Sequence, residues 1–258
     1  MERYKLSNNT VHLVPPLIFL SLPRCAGLSF AELFAAEFRR LLIDPKVIFI
    51  PAIKKGSVGL SDIKISDLVN KEWKILFDTM PFGFAEQIFH FEKEPFNFCC
   101  LREPIARGFS HYYFYAYPNP DRKADMIKEF YSNPRSREML YFIFNSMTVY
   151  MSGMKYVFQG RVEKEALEIC LNRAKRHLDL LGVFGFLDEI EDFIKLFNSL
   201  NPYSLSIDCG KMPKLNEGFY KETIDPCLMP LIEEIAAYDI QLYDYAKKSF
   251  TMRFSHLL

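Results

Sequence analysis

Short unbroken apolar runs alternate along this chain with longer stretches in which apolar residues recur every three or four positions. Residues 16–22 (PLIFLSL) and Phe96–Leu101 (FNFCCL) carry the first pattern, which suits strands buried on both faces. Residues 47–51, 74–77 and Val183–Phe186 are shorter runs of the same kind. Helical spacing follows the first run at Phe30, Leu33, Phe34, Phe38 and Leu41, with Ser29 as N-cap and Glu32 as its reciprocal partner. Phe84, Ile88 and Phe91 share one side of a second helix, and a third starts at Ile105 and stops at Tyr117-Pro118-Asn119-Pro120. From there the chain is polar to about Ser136. The clearest amphipathic helix covers residues 163–181, with Leu167, Leu171, Ala174, Leu178 and Leu181 on one stripe. Asp188 and Glu191 mark another helix start, and a last helix extends from Asp225-Pro226 to about Lys248. Strands alternating with helices predict an α/β fold, a three-layer sandwich with a central parallel sheet flanked by helices.

At 258 residues the length suits one domain, residues 1–258. Lysine plus arginine equals aspartate plus glutamate at 32 each. No global field draws the chain to nucleic acid or an anionic membrane, so any anion site is local. Six cysteines, at positions 25, 99, 100, 170, 209 and 227, form no CxxC pair and no zinc-like spacing with the five histidines. They read as reduced thiols, and no metal site is expected. The apolar run at 13–22 contains Pro15 and Pro16 and is shorter than the roughly 20 residues of a membrane span. It lacks the marks of a signal peptide. The chain reads as cytoplasmic if complete, and as a soluble catalytic domain if it is a piece of something longer.

Chemistry enters at the turn Leu22-Pro23-Arg24-Cys25-Ala26-Gly27-Leu28-Ser29, between the first strand and its helix. Unpaired amides at a helix start and the helix dipole favour an anion, and small residues let a phosphate come close. Arg24 adds a charged planar fork and Ser29 a hydroxyl. Cys25 reads as a small loop residue rather than a nucleophile. The turn matches neither GxGxxG nor GxxxxGK[ST], which argues against a dinucleotide fold and an ordinary ATPase loop.

A second turn, Leu101-Arg102-Glu103-Pro104-Ile105-Ala106-Arg107-Gly108-Phe109-Ser110-His111-Tyr112-Tyr113, follows another apolar strand. Together the two turns resemble the PAPS-dependent sulfotransferase family, where PAPS is 3′-phosphoadenosine 5′-phosphosulfate, and especially the Golgi-type, heparan sulfate 2-O-like branch that sulfates carbohydrates. Met80 to Gly83, Asn145 to Gly153, Ala174 to Gly185 and Asp239 to Ala246 extend the resemblance from about residue 17 to about 248. It implies a P-loop NTPase-like sulfotransferase fold. It also implies that PAPS is the sulfate donor, with Arg24, Cys25, Ala26, Gly27, Leu28 and Ser29 around its 5′-phosphosulfate and Arg102 and Ser110 on its 3′-phosphate. Two plainer readings compete: Arg102 paired with Glu103 or Glu138, and Ser110 bonded to its own helix backbone. Tyr112 and Tyr113 read as core rings.

Sulfuryl transfer needs neutralised leaving-group charge, an aligned hydroxyl and a base for its proton. Arg24 serves the first need. The related carbohydrate enzymes commonly carry a Gly-His pair before the Met-Pro-Phe-Gly block, and its histidine is the base; this chain has Asp78-Thr79 there. Asp78 is the leading replacement, and Glu86 with His90 is the second candidate set. His111 reads as a packing residue. The expected activity is sulfation of a hydroxylated acceptor, a carbohydrate foremost. The alternative is a catalytically degenerate protein that binds the nucleotide in a regulatory or interaction role. Basic residues Arg122, Lys123, Lys128, Arg135 and Arg137 offer contacts for an anionic sugar chain, but interspersed acids favour a solvated surface.

Overall fold

Leu17, Ile18, Phe19 and Leu20 are all buried, and the reason is a sheet covered on both faces. In a computed structural model, residues 17–40, 47–50, 75–78, 81–88, 91, 93–116, 130–203, 205–213 and 226–258 are described. Five strands, β1 (Leu17–Leu20), β2 (Val47–Ile50), β3 (Ile75–Asp78), β4 (Phe96–Leu101) and β5 (Val183–Phe186), form one sheet in the order β2-β3-β1-β4-β5. Every neighbouring pair is parallel, and Leu20 is in register with Asp78 on one side and Cys99 on the other. The chain moves outward from β1 to β2, returns through β3, then continues beyond β1 in β4 and β5. That reversal opens a crevice at the carboxyl ends of β1 and β4, the place where open parallel sheets bind ligands.

The helices that frame the sheet and its turns are α1 (Gly27–Arg40), α2 (Phe84–Ile88), α3 (Pro104–Ala116), α4 (Pro134–Phe144), α5 (Ser146–Met151), α6 (Lys164–Asp179), α7 (Ile190–Leu200), α8 (Met229–Ile235) and α9 (Ala237–Phe254). Helices α1 and α7 cover one face of the sheet through phenylalanine rings. Phe30 lies 5.0 Å from Phe19, and Phe197 lies 4.9 Å from Phe34 and 4.8 Å from Phe98. Burial of each ring stabilises by about 1.5–3 kcal/mol, and tilted or edge-on contacts add about 0.5–1.5 kcal/mol per pair. On the opposite face Phe250 and Phe254 of α9 meet Phe184, and Phe250 also meets Phe186. Gly185 points the other way, where a Cβ would enter the Phe193 ring, so glycine lets α7 sit directly on β5. Helices α3, α5 and α6 pack with α9, and the buried apolar side chains form one connected core from Leu17 to Phe254.

Several boundaries differ from the sequence reading for physical reasons. Helix α1 begins at Gly27, so Ser29 is a buried residue within its first turn and not the N-cap. Asp188 lies in a 3-10 turn before α7, where it accepts a hydrogen bond from the Tyr243 hydroxyl at 3.1 Å. The C-terminal helix is two helices, broken at Ala236. At the break, Asn145 donates to the Ile235 carbonyl (2.6 Å) and accepts from the amides of Tyr238 (3.1 Å) and Asp239 (3.0 Å). A buried amide inserted there satisfies one helix end and the next helix start together. Helices α4 and α5 escape the sequence reading because Leu140 to Met151 are buried without interruption, leaving no polar face to set a period. Among the described residues no helix is long and apolar enough to cross a membrane. The six cysteines are free thiols.

Candidate functional site

The turn after β1 is tied down from below and strained above. The Cys25 amide donates to the Leu22 carbonyl at 3.2 Å, and the Cys25 side chain is fully buried. Arg24 and Ala26, on either side of it, have left-handed backbones with φ 65° and 61°. For residues bearing a Cβ this conformation costs roughly 1–2 kcal/mol each. Such alternation turns successive amides toward one side and creates an anion-binding concavity. The Phe30 amide makes the bond to the Ala26 carbonyl at 3.1 Å, so the amides of Gly27 and Leu28 precede that bond at the start of α1. A Cβ on Gly27 would collide with the Ser21 side chain, so glycine lets the helix start this close to β1. Burial pushes the Cys25 thiol up to about 12 against the pull of Arg107 and Arg102. It stays a neutral anchor, unsuited to nucleophilic work near neutral pH.

The turn after β4 is shaped by Glu103, whose two carboxylate oxygens accept from the amides of Ile105 (2.9 Å) and Ala106 (2.6 Å). Glu103 thus caps α3, while Glu138 lies 3.9 Å from Arg161. Arg102 reaches across to the other turn, donating Nη1 to the Arg24 carbonyl at 3.1 Å. In return Arg24 donates Nε to Ser110 Oγ at 2.9 Å. Its guanidinium lies 5.0 Å from the centre of the Phe114 ring, one turn beyond Ser110 on α3. Ser110 therefore meets the opposite loop, and Arg24, Arg102 and Ser110 converge at the crevice between β1 and β4.

Compared with known proteins, this chain matches no family model and no curated sequence.

Beneath the corner lies a network that sequence reasoning missed. Arg107 is fully buried and pairs with Asp239 at 3.1 Å, also fully buried. Arg107 also donates to the Ile143 carbonyl at 2.7 Å and to the Ser146 hydroxyl. Asp239 accepts from the amides of Thr148 (2.7 Å) and Met147 (3.2 Å) at the start of α5. Burial raises the Asp239 carboxyl above its ordinary range, and the Arg107 charge and the two amides oppose that rise. The available signal was an arginine inside a helix whose neighbours Gly108 and Phe109 face a core. A buried charge demands a partner, but sequence alone did not say where.

His111 is buried beside this pair, with Nδ1 3.3 Å from the Ile143 carbonyl and 3.2 Å from Ser146 Oγ. Burial, then the Arg107 charge, lowers it to about 3, so it is a poor base near neutral pH. Tyr112 is buried and Tyr113 packs against the core.

The candidate bases separate. Asp78 ends β3 in register with Leu20, at the sheet edge from which the Arg24 turn departs. Glu86 is exposed on α2, and its carboxylate meets Asn97 at 3.4 Å, near the start of β4. About 13 Å of strand separates Asn97 from the turn that carries Arg102. His90 lies outside the described residues, as do Arg122, Lys123 and Lys128. Leu28 is exposed on the first turn of α1.

Proposed function

We propose that this chain is a PAPS-dependent sulfotransferase of P-loop-like fold that moves a sulfuryl group to a hydroxyl of an acceptor, a carbohydrate being the leading class. The observation that carries the reading is the convergence of Arg24, Arg102 and Ser110 from two strand-to-helix turns at one crevice. Three features fit a doubly phosphorylated nucleotide. The positive charge is local on a chain with no net charge. The start of α1 offers amides behind a left-handed turn. Arg107, the third guanidinium near the corner, is already neutralised by Asp239, whereas Arg102 meets a neutral main-chain carbonyl and keeps its charge for an external anion.

Bound there, the nucleotide supplies an activated sulfuryl group. Arg102 and Ser110 hold the 3′-phosphate, and the amides of Gly27 and Leu28 with the Ser29 side of α1 face the 5′ end. Asp78, beside the same turn in the sheet register, takes the proton from the acceptor hydroxyl. No metal enters this scheme.

Thermal unfolding with 3′,5′-diphosphoadenosine is the direct test: saturating nucleotide raises Tm, and no shift overturns the reading. The base is tested separately with sulfate transfer from PAPS to a panel of hydroxylated carbohydrates. Asp78→Asn lowers turnover about 10²- to 10⁴-fold while keeping the nucleotide-induced shift; unchanged turnover removes Asp78 from the mechanism. Asp78-Thr79 in place of the family's Gly-His pair favours a second reading, a nucleotide-binding protein without turnover. A nucleotide-induced shift with no transfer to any acceptor would establish it.

A further inference from the structure

We infer that His177 is a positioning residue that holds, through Phe82, the segment by which the chain leaves β3 after Asp78. This rests on the sulfotransferase reading and deepens it: the proton-accepting carboxylate is aimed by an imidazole on α6 that the sequence pattern did not single out.

Asp78 is the last residue of β3, paired between Ile50 of β2 and Leu20 of β1. Four positions further on, Phe82 is gripped from three sides. Its amide donates to the Tyr150 carbonyl at 2.9 Å. Its ring stacks on the His177 imidazole, with centroids 4.4 Å apart and planes inclined by 19°. Its carbonyl faces Gly153, where φ is 70° and a Cβ would stand 2.7 Å from that oxygen and 3.4 Å from His177 Cε1. Glycine therefore lets the turn after α5 close on Phe82. The imidazole is itself fixed. A carbonyl oxygen only accepts, so Nδ1 carries the ring proton and donates it to Met151 at 2.7 Å. Burial lowers His177 below its ordinary range, against the Met151 bond and with the help of Arg173 and Arg176, so the ring on Phe82 is neutral near pH 7.

Helix α5 carries this grip to the anion corner. At its start Asp239 accepts from the Met147 and Thr148 amides, and Arg107 donates to the Ser146 hydroxyl. At its end, about 9 Å along the axis, the Tyr150 and Met151 carbonyls hold Phe82 and His177. One short helix thus joins the exit of β3 to Arg107, which lies in the first turn of the helix that follows Arg102. A strand's last residue is steadied by the ladder behind it and by whatever holds the chain ahead of it, and here that is the grip on Phe82. A general base must stay within hydrogen-bond reach of its proton, and misplacement by about 1 Å costs on the order of 10²-fold in rate.

Three measurements on the same variants test this: sulfate transfer from PAPS to hydroxylated carbohydrates, titration calorimetry with 3′,5′-diphosphoadenosine, and hydrogen exchange of the Phe82 amide. His177→Ala lowers kcat about 10- to 100-fold, changes the diphosphate Kd less than about twofold and speeds Phe82 exchange at least about tenfold. The Met147 amide, held by Asp239, exchanges as before. Gly153→Ala pushes on Phe82 from the other side and gives the same signature with His177 intact. In an Asp78→Asn background His177→Ala costs little more, because it acts through Asp78; a full further loss would place its action elsewhere. Should His177→Ala fail to fold, His177→Asn keeps a donor for Met151 and His177→Phe keeps the stack, and each loses part of kcat with Kd unchanged. Unchanged kcat, or kcat and binding falling together with the folded fraction, overturns this inference alone. A wild-type protein that binds the nucleotide but transfers no sulfate overturns the catalytic reading, and this inference with it.

Discussion

Two arginines five positions apart, Arg102 and Arg107, meet opposite circumstances. Arg107 is fully buried with Asp239 against it, and its other partners are the Ile143 carbonyl and the Ser146 hydroxyl. Arg102 is half-buried at the mouth of a crevice, and its contact is a main-chain carbonyl on another loop. A guanidinium that has its carboxylate inside the protein holds elements together: Arg107 ties α3 to α4, α5 and α9. One whose nearest acceptor is a neutral carbonyl still has its charge to spend on a ligand. Location relative to the sheet decides which is which, since Arg102 immediately follows a parallel strand and Arg107 sits one turn into the helix.

The sharpest way to break this comparison is to remove the buried counter-charge. Asp239→Asn leaves Arg107 without its carboxylate and costs about 3–5 kcal/mol of stability, on the order of a 10 °C fall in Tm. Denaturation with and without nucleotide should show the same loss, because the pair holds the frame and does not touch the ligand. A cost below about 1 kcal/mol would mean that the pair does not organise the frame.

How much of this was legible in the sequence follows the same divide. Strands β4 and β5 were readable to the residue, because continuous apolar runs have few alternatives once both faces are covered. The two turns were readable because short motifs carry their own chemistry. Helices α4 and α5 were not, since a segment buried all round has no amphipathic period. Arg107 with Asp239 and Asn145 with the Ala236 break were hidden for another reason. Each joins residues roughly a hundred positions apart, and local pattern carries no information about which buried polar group will meet which. The Arg24 to Ser110 bond was half legible: both residues were singled out, but to opposite ends of one ligand.

His111 sharpens the comparison from inside the buried network. Its folded-state value of about 3 lies below the ordinary 6.5, so the folded protein resists protonation where the unfolded chain accepts it. Stability from this ring is fully present above about pH 6.5 and is lost as pH falls toward 3. Between neutral pH and pH 5 the loss is about 2 kcal/mol. Urea unfolding of the wild type and of His111→Gln across that range checks it, because the difference between them isolates this one ring. If both lose stability in parallel, His111 does not carry the acid sensitivity.

Arg102→Ala gives the smallest effect on the free protein and the most discriminating one with ligand. Removing one hydrogen bond to the Arg24 carbonyl at a half-exposed site costs about 1 kcal/mol or less. With nucleotide at 100 times the wild-type Kd, binding stabilises the native protein by about 2.7 kcal/mol; a variant bound 100-fold more weakly keeps only about 0.4 kcal/mol of that. Thermal unfolding therefore shows nearly equal Tm values without ligand and widely different ones with it. If Arg102→Ala destabilises the free protein as much as Asp239→Asn does, the corner is a structural tie like the one beneath it. The distinction between a spent and an available charge, on which the proposed activity depends, then fails.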